Sequence, residues 1–313
     1  MNGQRGIYLR ISVTDRCNLR CFYCHPVCYE KLPSHELLSY EEIARLIRII
    51  KRIGYIEKVR LTGGEPLLRR DIVRLVEMIK SEGIDKICIT TNGVLLSNFV
   101  NRLKGLITRI NVSLDTLKRE KFSEITGKDG LELVVSGIIE SVRAGIRTKI
   151  NTVVMKDVNL DEIHELVEFA SETTGNIRFI EYMPFSHTNN QEFEKHYVPC
   201  SEVMEVLKQR YSLISLGTSG TSKNFLVEEL KTVVGFITPV SSPFCHRCNR
   251  LRINAKGELK LCLHRGAVLN LKELLRDPDI SDEEIGATLA KAISRKGYLH
   301  PIMGTATMID TGG

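Results

Sequence analysis

Short apolar runs alternate with amphipathic segments along roughly the first 185 residues of this chain. The apolar runs predict strands at IYLRISVT, KVRLTGG, KICITTNG, RINVSLD, KINTVVM and IRFIEYM. The segments between them place apolar residues at three- and four-residue spacing, and several stop at glycine, as helices do. Strand–helix alternation favours a parallel sheet with right-handed crossovers. About six such units predict an α/β fold, an incomplete (βα)6 TIM-type barrel, with a doubly wound open sheet as the alternative.

One face of the predicted strands is polar, although a central parallel strand buried on both faces should be almost wholly apolar. Side chains alternate along a strand, so the polar positions fall on one side of the sheet. These positions are Arg10, Ser12, Thr14, Arg60, Thr62, Thr90, Asn92, Asn111, Ser113, Asp115, Lys149, Asn151, Glu181 and Met183. The pattern predicts a cavity with polar, charged walls and a site at the carboxyl ends of the strands. A one-sided solvated antiparallel sheet is the alternative, and the intervening helices argue against it.

The pattern changes after about residue 185, which predicts two parts, residues 1–185 and residues 186–313. The first part holds the partial barrel. The second contains mostly extended segments, with a hairpin turn at AKGE and a closing amphipathic helix over roughly residues 281–296. We therefore expect a C-terminal extension attached to the barrel.

Composition narrows the class of protein. The chain of 313 residues is 42% hydrophobic and 26% charged, as in globular proteins. No apolar run has the length of a signal peptide core or a membrane span, so we expect a cytoplasmic protein without membrane association. The net charge of 44 − 38 = +6 is compatible with an anionic ligand. Aromatic residues make up only 6%, and no basic–aromatic stripe indicates nucleic-acid binding.

The cysteines are bunched in two places, which disfavours a framework of disulfides. The first group is Cys17, Cys21 and Cys24, with Cys28 soon after. This spacing suits a cubane iron–sulfur cluster, in which three thiolates bind three irons and the fourth iron stays open, better than it suits zinc. Cys28 leaves open a four-thiolate electron-transfer cluster.

The second group is Cys245, Cys248 and Cys262, again three thiolates. A zinc site completed by His246 or His264 is the alternative at this position. Both groups therefore predict metal chemistry, and neither spacing alone identifies the metal.

The CxxxCxxC motif after the first predicted strand resembles the signature of the radical S-adenosylmethionine superfamily. LTGGEP at residues 61–66 resembles the second-strand motif of the same superfamily. The resemblance implies a [4Fe–4S] cluster whose open iron binds S-adenosylmethionine, which one electron cleaves to methionine and a 5′-deoxyadenosyl radical. It also implies cofactor contacts from Tyr23, Gly64, Ser113 and Met183. The glycines of the motif would let the ligand approach the backbone closely.

The C-terminal cysteines, with CNRLRI among them, resemble those of the GTP 3′,8-cyclases, and the resemblance runs from residue 10 to residue 313. It implies a second [4Fe–4S] cluster that binds guanine, and conversion of GTP to 3′,8-cyclo-7,8-dihydro-GTP, the first step of molybdopterin biosynthesis. The implied substrate contacts are Arg10, Arg60, Thr90, Lys149, Arg250, Leu251 and Arg252, with Thr91 as the alternative to Thr90. Catalytic roles are implied for Arg250, Arg252 and the terminal Gly312 and Gly313.

Three partners follow from this resemblance: GTP as substrate, an electron donor, and cyclic pyranopterin monophosphate synthase as the next enzyme of the pathway. The oligomeric state stays open, with a homodimer as one option. The competing hypotheses are a related enzyme acting on a peptide or another small molecule, an electron carrier with two four-thiolate clusters, and a zinc-dependent nucleic-acid-binding protein.

Overall fold

A computed structural model describes residues 6–24, 31–185 and 188–296. The strands in these ranges are β1 (Ile7–Ser12), β2 (Ile56–Thr62), β3 (Ile87–Thr91), β4 (Arg109–Ser113), β5 (Thr148–Val154), β6 (Asn176–Glu181), β7 (Leu213–Ser219), β8 (Ser222–Val227), β9 (Thr232–Ile237), β10 (Arg250–Ile253), β11 (Glu258–Lys260) and β12 (Leu269–Asn270). The α-helices are α1 (Tyr40–Ile53), α2 (Ile72–Ser81), α3 (Val100–Leu103), α4 (Arg119–Thr126), α5 (Leu131–Arg143), α6 (Ile163–Glu172), α7 (Asn190–His196), α8 (Cys200–Lys208), α9 (Leu271–Arg276) and α10 (Asp282–Ser294).

All of these strands form one sheet, in the order β12-β11-β10-β1-β2-β3-β4-β5-β6-β9-β8-β7. The central run from β10 to β9 is parallel throughout, and antiparallel strands extend both of its edges. The predicted α/β fold with a large parallel sheet is confirmed. No pairing between β12 and β7 occurs in the described ranges, so closure into a barrel stays a prediction.

Strands from the C-terminal part continue the sheet that the N-terminal part begins. β9 pairs with β6, and β10 pairs with β1. The register places Arg10 of β1 between Arg252 of β10 and Arg60 of β2. The division at residue 185 stays a prediction, but the polar face of the sheet combines residues from both sides of it.

The helices cover the apolar face of the sheet. Helix α1 begins with the predicted capping box, in which Ser39 and Glu42 each accept a hydrogen bond from the other's backbone N–H. Arg45 of α1 pairs with Asp282 of α10 at 2.7 Å, and this contact joins the closing helix to the first helix. None of the helices in the described ranges has the length and apolarity needed to cross a membrane.

The sequence reading of β6 was wrong by one residue. Glu181 was expected on the polar face, but it is fully buried and accepts hydrogen bonds from the backbone N–H groups of Cys200 and Ser241. Arg178 and Ile180 line the cavity instead. Because side chains alternate, the face that carries Arg178 excludes Glu181.

Candidate active site

The polar face of the sheet encloses a cavity of about 760 Å³. Both cysteine groups line it, namely Cys17, Cys21, Cys24, Cys245, Cys248 and Cys262. Cys17 follows the carboxyl end of β1, whereas Cys248 precedes the amino end of the parallel neighbour β10. The two groups therefore lie at opposite ends of one cavity.

The N-terminal cysteine loop is held by the end of β3. The Asn92 side-chain amide donates to the Asn18 side chain at 2.8 Å and to the Cys17 sulfur at 3.7 Å. Burial, together with the neighbouring Cys17, raises the pKa of the Cys24 thiol to about 12. Cys28 lies outside the described residues.

This donor set fits an iron–sulfur cluster. Three thiols line one space, and one sulfur already accepts a hydrogen bond of the kind that tunes a bound cluster. Burial disfavours bare thiolates there, and a cluster's iron would supply the missing positive charge. Within the described ranges, no group of three or more His, Cys, Asp or Glu side chains is arranged to hold a single metal ion.

The two glycines of LTGGEP pack directly on the cysteine loop. A β-carbon at Gly63 would lie 2.5 Å from the Thr14 carbonyl oxygen, and one at Gly64 would meet the Arg16 carbonyl oxygen. The Gly64 and Glu65 N–H groups donate to these same two carbonyls at 2.7 Å. Close packing of backbone on backbone therefore explains the glycines. Gly64 also lines the cavity, and its contact with the cofactor stays a prediction.

Glu65 links the motif to β3, a role that the sequence did not show. It accepts hydrogen bonds from the Thr91 hydroxyl at 2.8 Å and from the Asn92 N–H at 2.7 Å, and burial raises its pKa to about 7. Thr90 instead accepts a hydrogen bond from Arg60 at 2.8 Å. Of the two adjacent threonines, Thr90 is therefore the one joined to a predicted substrate residue.

The predicted cofactor contacts Tyr23, Ser113 and Met183 all line the cavity. The Tyr23 hydroxyl donates to Asp115 at 2.6 Å, and the Val153 N–H donates to the other carboxylate oxygen at 2.8 Å. Burial raises the pKa of Asp115 to about 6. Asp115 was expected on the polar face, but its contact with Tyr23 was not foreseen.

The C-terminal cysteines lie on the chain around β10 and β11. The Cys248 N–H donates to the Cys245 carbonyl at 3.1 Å, which closes a tight turn just before β10, and Cys262 follows β11. Burial would raise the pKa of the Cys248 thiol, but Lys296 and Arg250 lower it overall. These two cations favour the ionised form of Cys248 relative to an ordinary thiol, as suits a metal ligand, whereas burial raises the pKa of Cys245.

Two histidines flank this group. His264 is buried in the cavity wall with its ring centre 5.6 Å from that of Phe185, whereas His246 is exposed. His264 contacts the cavity and His246 does not.

Basic side chains from five strands line the cavity between the two cysteine groups. We call them the cation cluster: Arg10, Lys58, Arg60, Arg109, Arg178, Arg250 and Arg252. Burial and neighbouring arginines lower the pKa of Arg178 and of Arg252 to about 10. In the described part of the chain neither pairs with a carboxylate, and each has a buried nitrogen without a hydrogen-bond partner. Buried cations in this state favour an anionic ligand.

Four strand residues with basic or phenolic side chains line the cavity but were not among the predicted polar positions: Tyr8, Lys58, Arg109 and Arg178. Three of them precede a recognised polar position by two residues, as Tyr8 precedes Arg10. Extending the alternation toward the start of each strand would have found these three.

The remaining predicted residues lie apart from the cavity wall. Lys149 faces the cation cluster without lining the cavity, and burial, Arg178 and Arg109 lower its pKa to about 7. The Leu251 side chain packs in the hydrophobic core on the opposite face of β10. Gly312 and Gly313 lie outside the described residues.

Comparison with known proteins identifies the family. The radical SAM superfamily model matches residues 11–170, and the model named Molybdenum Cofactor Synthesis C matches residues 175–301. A GTP 3′,8-cyclase of Clostridium perfringens is 40% identical over 305 residues, covering 95% of this chain and 93% of that protein. This chain belongs to the radical SAM superfamily and, within it, to the GTP 3′,8-cyclase family.

Other relatives differ from this chain in length. Molybdenum cofactor biosynthesis protein 1 of Drosophila melanogaster is 41% identical over 304 residues, and the chain spans 53% of its length. The crystal structure of Streptococcus suis SuiB bound to S-adenosylmethionine has a TM-score of 0.65 at 18% identity, covering 88% of this chain and 66% of that one, and shows a similar fold. Membership of the family confirms the predicted cofactors, two [4Fe–4S] clusters and S-adenosylmethionine.

Proposed function

We propose that the protein converts GTP to 3′,8-cyclo-7,8-dihydro-GTP, the first step of molybdopterin biosynthesis. The observation that carries this proposal is the single cavity, with a cysteine group at each end and the cation cluster between them. Such a cavity can hold a radical source and a nucleotide polyphosphate side by side. The GTP 3′,8-cyclase relatives at about 40% identity support the same reaction.

The N-terminal end of the cavity is proposed to bind the radical source. Cys17, Cys21 and Cys24 would hold one [4Fe–4S] cluster. When bound and reduced, this cluster supplies the electron that cleaves S-adenosylmethionine and so provides the radical chemistry. Tyr23, fixed by its hydrogen bond to Asp115, would lie against the cofactor.

Ser113, Met183 and Gly64 complete the proposed cofactor wall at this end. All three line the cavity close to the carboxyl ends of their strands, where the cysteine loop also lies. The cofactor would therefore be held by side chains and backbone from several strands at once. This rigid support keeps the reactive group at a fixed distance from the substrate.

The opposite end is proposed to bind GTP. Cys245, Cys248 and Cys262 would hold the second [4Fe–4S] cluster near the guanine. Guanidinium groups match phosphate oxygens, so Arg250 and Arg252, two residues apart on β10, would bind the triphosphate together with members of the cation cluster on neighbouring strands. Any contact from Leu251 would come from its backbone, because its side chain is in the core.

The reaction requires the ribose to be held still. The nucleotide loses the hydrogen atom at C3′, forms a bond between C3′ and guanine C8, and then gains one electron and one proton. The product is therefore an isomer of GTP. The protein's contribution is to bind both ends of the nucleotide and to exclude water from the carbon radical.

The reaction also implies partners. An external electron donor must supply the electrons, and cyclic pyranopterin monophosphate synthase would consume the product. The Gly312–Gly313 tail is proposed to contribute to catalysis, as the family resemblance implies.

An anaerobic assay tests the proposed function. The protein is reconstituted with iron and sulfide and mixed with S-adenosylmethionine, GTP and dithionite, and the products are identified by mass spectrometry. We expect 5′-deoxyadenosine together with a GTP isomer or its hydrolysis products. If deoxyadenosine forms while GTP stays unchanged, GTP is not the substrate. If neither product forms although the protein holds both clusters, the proposed radical reaction is wrong.

A further inference from the structure

Tyr8 of β1 lies among the members of the cation cluster and is itself not a cation. Its phenolic oxygen accepts a hydrogen bond from the Arg60 guanidinium. The Lys58 ammonium lies 4.6 Å from the centre of the Tyr8 ring, and the Arg250 guanidinium lies 5.6 Å from it. The register explains these contacts, because Tyr8 is the direct neighbour of Arg250 in β10 and of Lys58 in β2.

The Tyr8 ring also helps to fix Arg250. The Arg250 guanidinium lies over both the Tyr8 ring and the Phe244 ring, 5.8 Å from the centre of the latter. It donates a hydrogen bond to the Thr221 hydroxyl at 2.6 Å. Cation–π contacts and this hydrogen bond hold a predicted phosphate-binding arginine in one orientation before any substrate arrives.

Charged groups face Tyr8 from every neighbouring element. They are Arg10 on β1, Lys58 and Arg60 on β2, Arg178 on β6, and Arg250 and Arg252 on β10. Glu57 is engaged with Lys58 at 3.1 Å. Burial alone would raise the pKa of Tyr8, but Arg60, Arg10 and Arg250 lower it to about 7. Near neutral pH the phenolic oxygen is therefore partly ionised and brings negative charge to the place where the cations are concentrated.

We propose that Tyr8 is a positioning residue that acts as the resident counter-ion of the cation cluster and takes up a proton when GTP binds. The inference rests on the proposed function. The phenolate oxygen and the phosphate oxygens are alternative partners for the same guanidinium groups. Two anions side by side would repel each other, so the incoming polyphosphate favours the neutral phenol. One proton moves from the solvent to the phenolic oxygen, and no other bond changes.

This arrangement gives Tyr8 two effects of opposite sign. The phenolate reduces repulsion among the cations while the cavity is empty, which stabilises the free protein. The same negative charge weakens GTP binding until the oxygen is protonated. By linkage, GTP affinity must fall as the pH rises above the pKa of Tyr8, beyond any change due to GTP itself.

Isothermal titration of GTP into the holoenzyme without S-adenosylmethionine tests the proposal. Titrations in buffers of different ionisation enthalpy give the number of protons taken up. The variants are Tyr8→Phe, which keeps the ring, and Tyr40→Phe as the matched control. Tyr40 also lies beneath an arginine, with Arg69 4.6 Å from its ring centre, but its hydroxyl donates to the Arg70 carbonyl away from the cavity.

We expect wild type and Tyr40→Phe to take up close to one proton more than Tyr8→Phe at pH 8. The ratio of the wild-type Kd to the Tyr8→Phe Kd should rise about tenfold or more between pH 6.5 and 8.5. Titration of the GTP phosphates is common to both proteins and cancels in this ratio.

A ratio that stays constant with pH, with equal proton uptake, would overturn the proposal and leave Tyr8 a structural role only. If Tyr8→Phe fails to fold, ultraviolet difference spectra of the wild type at pH 8 decide, because GTP must convert a tyrosinate to a neutral tyrosine. GTP that leaves the tyrosinate absorbance unchanged would then overturn the proposal. Wild type that binds no GTP at any pH would instead overturn the proposed function.

Discussion

The two ends of the cavity differ in the sign of their buried charged groups and in how these groups are paired. At the N-terminal end, burial raises the pKa of Glu65 to about 7 and of Asp115 to about 6, and hydrogen bonds from neighbouring groups satisfy both carboxyls. Toward the other end, burial lowers the pKa of Arg178 and Arg252 to about 10, and each retains a buried nitrogen without a partner. At the N-terminal end the buried charged groups have hydrogen-bond partners within the protein. At the other end the buried cations favour an anionic ligand.

The cysteine groups differ in the same way. Cys17, Cys21 and Cys24 lie on a single loop, so local sequence already brings them together. Cys248 and Cys262 flank the hairpin of β10 and β11, and reach the cavity only because β10 pairs with β1. The first site is set by spacing along the chain, and the second depends on tertiary structure.

We expect the largest effect from a substitution at the N-terminal end of the cavity. Replacing Cys24 by alanine removes one of three thiolates, and we expect 5′-deoxyadenosine formation to fall by at least ~10³-fold, with GTP affinity unchanged. The matched control is Cys200→Ala, a buried thiol that contacts the Phe179 and Ile237 carbonyls in the core. Iron content and product formation are measured for both. Retention of activity by Cys24→Ala would show that this thiol is not a cluster ligand.

At the charged end, Arg252→Ala should weaken GTP binding without abolishing cleavage of S-adenosylmethionine. Loss of a buried charge-assisted contact predicts an increase in Kd of about 100-fold. Arg119→Ala is the control, because Arg119 is exposed and pairs with Asp129 at 2.5 Å on the surface, where ion pairs contribute little. Titration calorimetry compares the two, and equal effects would refute the binding role of Arg252.

Repulsion among the buried cations should also lower the stability of the folded protein. Burial, Arg178 and Arg109 hold the pKa of Lys149 at about 7, so its charged form is disfavoured in the folded protein. The unfolded chain keeps this proton up to about pH 10, so the penalty is full below pH 7 and disappears as the pH rises toward 10.

Lys149→Met should therefore raise the free energy of unfolding by ~1–2 kcal/mol at pH 7, a value that takes the partial exposure of Lys149 into account. Near pH 10 the substitution should leave the free energy of unfolding unchanged. Urea unfolding at both pH values measures this, with the exposed Lys104→Met as control. The same variant should bind GTP more weakly. A gain that is independent of pH would contradict the role of charge repulsion.

The smallest predicted effect distinguishes two adjacent residues. Thr90→Ala should raise the GTP Kd about three- to tenfold, because its hydroxyl accepts a hydrogen bond from Arg60. Thr91→Ala should leave the Kd unchanged and lower stability by about 1 kcal/mol, since its hydroxyl donates to buried Glu65. GTP binding and urea unfolding are measured for both variants. If Thr91→Ala weakened GTP binding more than Thr90→Ala, Thr91 would be the residue that supports GTP binding.

Much of this architecture was predictable, because strand–helix alternation and the polar strand face are periodic signals. Arg10 and Arg60 lie on the cavity face as that alternation requires. The error at Glu181 arose because Arg178 and Glu181 are three residues apart in β6, so they lie on opposite faces of the strand and either could face the cavity. The backbone N–H groups that bind the Glu181 carboxylate on the other face come from distant parts of the chain, which the strand sequence does not show.

Other features could not be read from the sequence because they depend on pairing between distant strands. The contact of Tyr8 with Arg250 requires β10 to lie beside β1, although more than two thirds of the chain separates them. The packing of Gly63 against Thr14 is likewise invisible in the motif, which is also compatible with a simple turn. Spacing predicts local sites, whereas the charge balance of the cavity emerges only on folding.

Both ends of the cavity are expected to act on one substrate. The most direct test supplies GTP deuterated at ribose C3′ to the reconstituted enzyme with S-adenosylmethionine and dithionite. We expect deuterium in the 5′-deoxyadenosine, and none when the label is at C2′ or C4′. Unlabelled deoxyadenosine from the 3′-deuterated nucleotide would show that the radical does not reach this carbon and that the two ends do not share the substrate.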